Sequence, residues 1–126
     1  VYDNVLLDVY DFLENVVEDC VELGISKNNI IVDPGIGFAK TLEHNLTLLR
    51  GLSIFHSLGC PILVGASRKR FIKTIGLQDD PLKISAGSIA VALEAFSQGV
   101  QILRVHDVFE TVQALRLWKS INIGTS

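Results

Sequence analysis

Short runs of β-branched and aliphatic residues, Ile30-Ile31-Val32, Ile62-Leu63-Val64 and Val100 to Val105, recur roughly 30–40 residues apart, with helix-periodic stretches around them. This rhythm narrows the fold more than any other feature. The runs are continuously apolar rather than alternating, as strands are when a parallel sheet is covered on both faces. Residues 3–23 place Leu6, Val9, Leu13, Val16, Val17 and Cys20 on one helical stripe, closed by Gly24. A second helix fits residues 44–58, with Leu48, Leu49, Leu52 and Phe55 on one face and Gly59 behind it. A short helix follows Arg68. A longer, Ala-, Ser- and Gly-rich one opens at Asp79-Asp80-Pro81 and runs to Gln98, small enough in its side chains to sit close against its neighbours. Asp107 and Glu110 form an Asp-x-x-Glu variant of the capping box for a last helix through about Lys119. Helix and strand alternate throughout, which implies an α/β fold with a parallel sheet and right-handed crossovers.

Composition supports one packed domain over residues 1–126: 48% of the chain is hydrophobic and 20% is charged. A formal charge of −3 gives no basic footprint for nucleic acid. No apolar run reaches the ~18 residues that would span a membrane, and there is no secretory leader, so the expected setting is soluble and cytoplasmic. Cys20 and Cys60 are too few and too far apart for a disulfide framework or a zinc knuckle, and read as buried apolar residues in a reducing compartment. The sequence contains no Met and starts at Val1, which points to a piece of a longer chain.

In parallel α/β folds ligands bind beyond the carboxyl ends of the strands, so the polar residues that follow each run are the ones to weigh. The first run ends at Asp33, in Asp33-Pro34-Gly35-Ile36-Gly37-Phe38. A carboxylate there can accept two N–H bonds from a planar amidine-like edge, or it can close an Asx turn or cap a helix. Gly35 and Gly37 permit a tight turn and close approach of a ligand. The second run leads into Ser67-Arg68-Lys69-Arg70. Successive cations at a strand end make either an anion site or a solvated turn, and Lys69 can donate to ring nitrogens or carbonyl oxygens as a compact charge. In the third, Arg104 and His106 are two apart and face one side of a strand. Together they can clamp a phosphate or pyrophosphate, and Arg104 could instead pair with a carboxylate. His44 and His56 fall on the second helix as ordinary surface or packing residues.

No metal-ligand spacing, P-loop or dinucleotide fingerprint is present. A Ser67, His106 and Asp33 triad can be drawn on paper, but no nucleophile-elbow pattern surrounds the serine and the adjacent cations would go unexplained.

The three strand ends taken together resemble a known family. Residues 31–40 (IVDPGIGFAK), 63–70 (LVGASRKR) and 102–107 (ILRVHD) look like successive signatures of dihydropteroate synthase, in that family's order and spacing. The flanking helices look like the family too, so the likeness covers essentially the whole chain. It implies a partial (β/α)8 TIM barrel, the C-terminal portion matching strands 6–8 with flanking helices. It implies condensation of 6-hydroxymethyl-7,8-dihydropterin pyrophosphate with p-aminobenzoate, giving dihydropteroate and pyrophosphate in folate biosynthesis, a step that sulfonamides target. By resemblance, Asp33 would bind the 2-amino edge of the pterin, and Lys69 would lie where the two substrates meet. Arg104 and His106 would hold the pyrophosphate. Phe38 and Arg70 would border the aminobenzoate pocket, and Gly37 would be a further substrate-binding position; Arg70 stands at a position that is Ser in some members, so a hydroxyl contact does not carry over. The family uses Mg2+, whose protein ligand would lie in an N-terminal half that these residues do not include, and the full-length enzyme would be a homodimer. A whole barrel of this kind needs about 250 residues. Three strands alone would leave open edges and exposed apolar helix faces, so the isolated chain should be poorly active or inactive. The rival readings are a pterin-binding methyltransferase domain, against which the SRK and RVHD signatures argue, and a non-catalytic fragment of the barrel.

Overall fold

A computed structural model describes residues 3–38, 40–65 and 67–124. Ala39 and Ala66, which stand inside two of the strand-end motifs, lie outside the described residues, as do the two residues at each terminus. Five α-helices and a small parallel sheet make up the described residues: α1 Val5–Glu22, α2 Leu42–Arg50, β1 Leu63–Gly65, α3 Arg70–Gly76, α4 Ser85–Ser97, β2 Ile102–Arg104 and α5 Val108–Asn122, with 3₁₀ segments at Lys27–Asn29, Leu52–Leu58 and Pro81–Lys83.

β1 and β2 are parallel, with Leu63, Val64 and Gly65 opposite Ile102, Leu103 and Arg104. The first apolar run joins the other side of β1 through a single parallel bridge, Val32 to Ile62. Val32 N–H donates to Pro61 O at 2.9 Å, and Leu63 N–H donates to Val32 O at 2.8 Å. The expected three-residue strand 30–32 thus shrinks to Val32. It pairs on one side only among the described residues, and Ile31 is exposed. The central run is the one buried as expected: Ile62 and Val64 have no exposed surface, whereas Leu103 is half-buried and Arg104 exposed.

The core gathers on the helical side of β1. Leu48, Leu52, Phe55, Ile62 and Val64 are fully buried there, with Ala92 and Ala95 of α4 and with Val9 and Val17 of α1 nearby. Each large aliphatic or aromatic side chain removed from water in this way stabilises the fold by roughly 1.5–3 kcal/mol. On α1 the expected stripe holds at Val9 and Val17, while Val16 is exposed and Cys20 only half-buried.

The expected helix 44–58 is two segments. It starts earlier than expected because Thr41 and His44 form a reciprocal capping box: Thr41 Oγ1 accepts from His44 N at 3.1 Å and His44 Nδ1 accepts from Thr41 N at 3.3 Å. It breaks at Gly51, where a Cβ would come within 2.6 Å of Leu6 on α1, so helix approach is set by the missing side chain. The expected helix from Asp79 is likewise split. Asp80 Oδ1 caps the 3₁₀ turn by accepting from Leu82 N at 2.9 Å, and Ile84 then turns into the core before α4 begins. α4 lies close on α3, as its small residues imply: a Cβ at Gly87 would be 2.5 Å from Ile72. α5 carries Val108, Phe109, Leu117 and Ile121 exposed.

Candidate functional site

The carboxyl ends of β1 and β2 open on one small cavity of about 140 Å³, lined by Gly65, Ser67, Lys69, Arg104, Val105 and His106. At about 30 Å³ per water, it has room for a few waters or one phosphate-sized group. Arg104 ends β2 directly opposite Gly65, so the sheet register delivers the guanidinium across that glycine. A Cβ at Gly65 would lie 2.8 Å from Arg104 Nη2 and 3.5 Å from Lys69 Nζ. Both cations therefore bracket the space that glycine leaves open. The two cationic groups are thus no more than about 6 Å apart, where like charges repel by roughly 1 kcal/mol or more, a cost that a bound anion removes.

Long-range contacts hold this end of the sheet. Ser67 is buried, and its Oγ accepts from His106 N at 3.2 Å and bonds His106 Nδ1 at 2.9 Å. Arg68 has φ of 53°, a left-handed value that costs a non-glycine residue on the order of 1 kcal/mol. Two contacts hold it there: its N–H donates to Ser88 Oγ on α4 at 2.9 Å, and its Nη2 meets Asp107 Oδ1 at 3.4 Å. Arg68 Nε and Asp107 Oδ2 are buried without a hydrogen-bond partner among the described residues, so the pair is joined by one arm rather than by a two-armed fork. The expected capping role of Asp107 is corrected by this contact. Asp107 makes no side-chain cap on α5, because its carboxylate is turned to Arg68. Its carbonyl instead accepts from Thr111 Oγ1 at 2.7 Å.

The turn after Val32 is held by near neighbours. Gly35 N–H donates to Asp33 Oδ1 at 2.8 Å, which makes the Asx turn that was one of the two readings of this residue. Lys40 Nζ donates to Gly35 O at 2.9 Å and to Phe38 O at 3.0 Å. Partial burial holds the pKa of the Lys40 ammonium below the ordinary lysine value, and attraction to Asp33 opposes that shift. Buried Asn45 on α2 accepts from Gly37 N at 2.7 Å. Gly37 has φ of 90°, and a Cβ there would be 3.1 Å from Lys69 Cδ, so the lysine stem lies against this glycine. Lys69 Nζ stands 4.9 Å from the centre of the exposed Phe38 ring, a cation–π contact worth about 0.5–1 kcal/mol at an exposed position.

Of the residues singled out from sequence, Lys69, Arg104 and His106 come together around the cavity. Gly37 and Phe38 join them through the Lys69 side chain. Asp33 and Arg70 are exposed and line no part of that cavity. The Ser67–His106 contact is not half of a hydrolase triad. In a triad the serine bonds Nε2 and a carboxylate bonds Nδ1; here the serine occupies Nδ1, and Asp33 is turned to Gly35. Ser67 as a partner of His106, the Arg68–Asp107 pair and Ser88 went unread in the sequence. Each joins positions at least 20 residues apart, for which a single sequence carries no local signal.

Comparison with known proteins matches residues 1–106 to the family model described as pterin binding enzyme. The dihydropteroate synthase of Escherichia coli strain K12 is 43% identical over 116 residues, which cover 92% of this chain and 41% of that protein. The chain thus spans about two fifths of the length of the curated relatives it matches. A Xanthomonas albilineans dihydropteroate synthase solved with 4-aminobenzoic acid superposes with a TM-score of 0.93 at 40% identity, over 96% of this chain and 44% of that one. The same enzyme in complex with 7,8-dihydropteroate also superposes with a TM-score of 0.93 at 40% identity, over 96% of this chain and 46% of that one. The parallel strands and their helices are accordingly part of a (β/α)8 barrel.

Proposed function

The chain belongs to the pterin-binding enzyme family, and from that membership we propose that it forms one part of a single-domain dihydropteroate synthase barrel. The reaction would join the amine of p-aminobenzoate to the methylene of 6-hydroxymethyl-7,8-dihydropterin pyrophosphate. A C–N bond forms, the C–O bond to pyrophosphate breaks, and the amine gives up a proton. The convergence of Lys69, Arg104 and His106 on one cavity at the strand ends carries this reading. Relatives solved with 4-aminobenzoic acid and with 7,8-dihydropteroate support the substrate pair.

Negative charge grows on the departing pyrophosphate as the C–O bond lengthens. His106, held by Ser67, and Arg104, carried to the cavity by the sheet register, would meet that charge as donors, and electrostatic stabilisation of this kind is a large part of catalysis. Lys69, its stem against Gly37 and its ammonium over Phe38, links the anion cavity to the Asp33 turn, which suits the role of a lysine at the junction of the two substrates. The Asp33 carboxylate has a second oxygen, so it can accept from the 2-amino edge of the pterin without giving up its bond to Gly35. Phe38 and Arg70 border the aminobenzoate. The amine is already nucleophilic, so the reaction calls for no activated Ser or Cys.

Magnesium belongs to this reading as well. Among the described residues no group of His, Cys, Asp or Glu could hold a metal ion, so its protein ligand would lie outside them. The same reading makes the full-length enzyme a cytoplasmic homodimer acting on small molecules, with no nucleic acid or membrane partner. The net charge of −3 supports the absence of a nucleic-acid partner, and among the described residues no helix is long and apolar enough to cross a membrane.

Calorimetric titration of the 126-residue chain with inorganic pyrophosphate tests the carrying observation. Binding that weakens at least tenfold in Arg104→Ala is the expected result. No binding by the wild-type chain, or binding indifferent to Arg104, would overturn it. The isolated chain should form no dihydropteroate at a normal rate, which a product assay checks directly.

A further inference from the structure

We propose that Ser67 is a positioning residue that fixes the tautomer of His106, so that the neutral imidazole keeps its proton on Nε2 and offers it to the anion. The proposal rests on the reading of the cavity as an anion site and assigns the group that arms it. Ser67 Oγ sits 3.2 Å from His106 N and 2.9 Å from His106 Nδ1. A backbone N–H can only donate, so one lone pair of the hydroxyl is committed to it. The hydroxyl has a single proton to give, and Nδ1 is the acceptor in reach. The tautomer with its lone pair on Nδ1 and its proton on Nε2 uses that hydroxyl proton, whereas a neutral Nδ1–H ring would leave it without this acceptor.

Ser67 is only 6% exposed, so water does not compete freely for these contacts. One backbone bond and one ring bond to the same oxygen set the ring's rotation as well as its tautomer. The arrangement also survives protonation. An imidazolium would donate Nδ1–H to the second lone pair of Oγ, and the hydroxyl proton would turn away. In both protonation states Nε2 remains a donor, which suits a ring that must meet phosphate oxygens. The opposite tautomer would present a lone pair to the anion and repel it. It follows that Ser67 acts as hydrogen-bond donor and acceptor and not as a nucleophile.

The tautomer is read by two-bond ¹H–¹⁵N correlation spectra of the imidazole rings in the 126-residue chain, at about pH 8.5, above the ordinary imidazole pKa of about 6.5. His106 should show an unprotonated Nδ1 and a protonated Nε2. In Ser67→Ala the two nitrogen shifts should move toward each other as the tautomers begin to exchange. The signals of His44 and His56 should stay where they are, which reports that the fold is kept. Ser67→Ala should also weaken pyrophosphate binding several-fold, and Ser67→Thr, which keeps a hydroxyl, should recover part of it. A protonated Nδ1 in the wild type overturns the proposal, as do His106 shifts that ignore the loss of the hydroxyl. The wild-type spectrum decides even if the variants fail to fold. Correct tautomer with no pyrophosphate binding would remove the proposed function and leave the role of Ser67 in ordering the ring; binding with the wrong tautomer would do the reverse.

Discussion

The two arms of the strand-end cluster are wired in different ways. At the ends of β1 and β2, the contacts run across the fold: Ser67 to His106, Arg68 to Asp107, and Arg68 N–H to Ser88 on α4. At the turn after Val32, they run between near neighbours: Asp33 to Gly35, Lys40 to Gly35 and Phe38, and Gly37 to Asn45. The contacts across the fold hold Ser67, Arg68 and His106, and so fix the two chain segments that carry Lys69 and Arg104 to either side of Gly65. A turn that presents one carboxylate needs no such help, since backbone donors two residues away can hold it. The ends of β1 and β2 are therefore braced by the fold, and the turn after Val32 is braced by itself.

The largest effects should come from the braced arm. In the full-length enzyme, Arg104→Ala should lower kcat by about 10²–10³-fold, the usual consequence of removing one donor to a developing anion. Asp33→Ala should act mainly on pterin affinity. Steady-state kinetics on both variants separates the arms, and equal effects of both on kcat would erase the distinction. Next in size is Asp107→Ala, which strands the Arg68 guanidinium. With the two side chains 30% and 23% exposed, the pair lies between surface and buried. A loss of about 1–2 kcal/mol and a melting point lower by several degrees are expected. Unchanged melting would mean that Ser88 alone holds the left-handed Arg68.

Much of this was legible in the chain, and the reasons it was or was not are physical. Ile62 to Val64 declared a buried strand because its apolar residues are continuous, α2 showed in its periodicity, and α4 showed in its Asp-Pro start and small residues. Lys69, Arg104 and His106 could be grouped because strand ends of a parallel sheet point one way. Helix breaks were harder to see. Gly51 divides one apolar stripe because Leu6, far off in sequence, fills the space its Cβ would take. Thr41 capped α2 through a histidine where a Glu or Gln is the usual sign. Asp107 had every local mark of an N-cap and was claimed by Arg68 across 39 positions. Asp33 shows the converse: its Asx turn was readable because all its partners are local.

Smaller effects belong to the self-braced turn. Asn45→Ala leaves the Gly37 N–H without its acceptor. About 1 kcal/mol should be lost, since the exposed glycine can turn partly to water. The more telling readout is the Lys69 stem, which rests on Gly37; pyrophosphate affinity should fall by no more than a few-fold. A fall as large as that of Arg104→Ala would show that the two arms are one unit.

The smallest effect concerns Lys40 and appears only as a slope. Burial lowers its pKa in the folded state, so the unfolded chain holds that proton more tightly. Between the folded value and the ordinary lysine value of about 10.4, the unfolded state binds more protons, and stability rises with pH. At neutral pH both states are protonated and the full cost of burying the charge is present. Raising the pH through the folded pKa relieves it. Lys40→Met also removes the bonds to Gly35 O and Phe38 O, but that offset does not change with pH as a titration does. Urea unfolding of wild type and Lys40→Met from about pH 7 to about 10.4 should therefore give curves that diverge upward for the wild type. The attraction of Asp33 partly cancels the burial cost, so Asp33→Asn should steepen the wild-type slope. Parallel curves would mean that this turn carries no buried charge, and that its self-bracing rests on backbone hydrogen bonds alone.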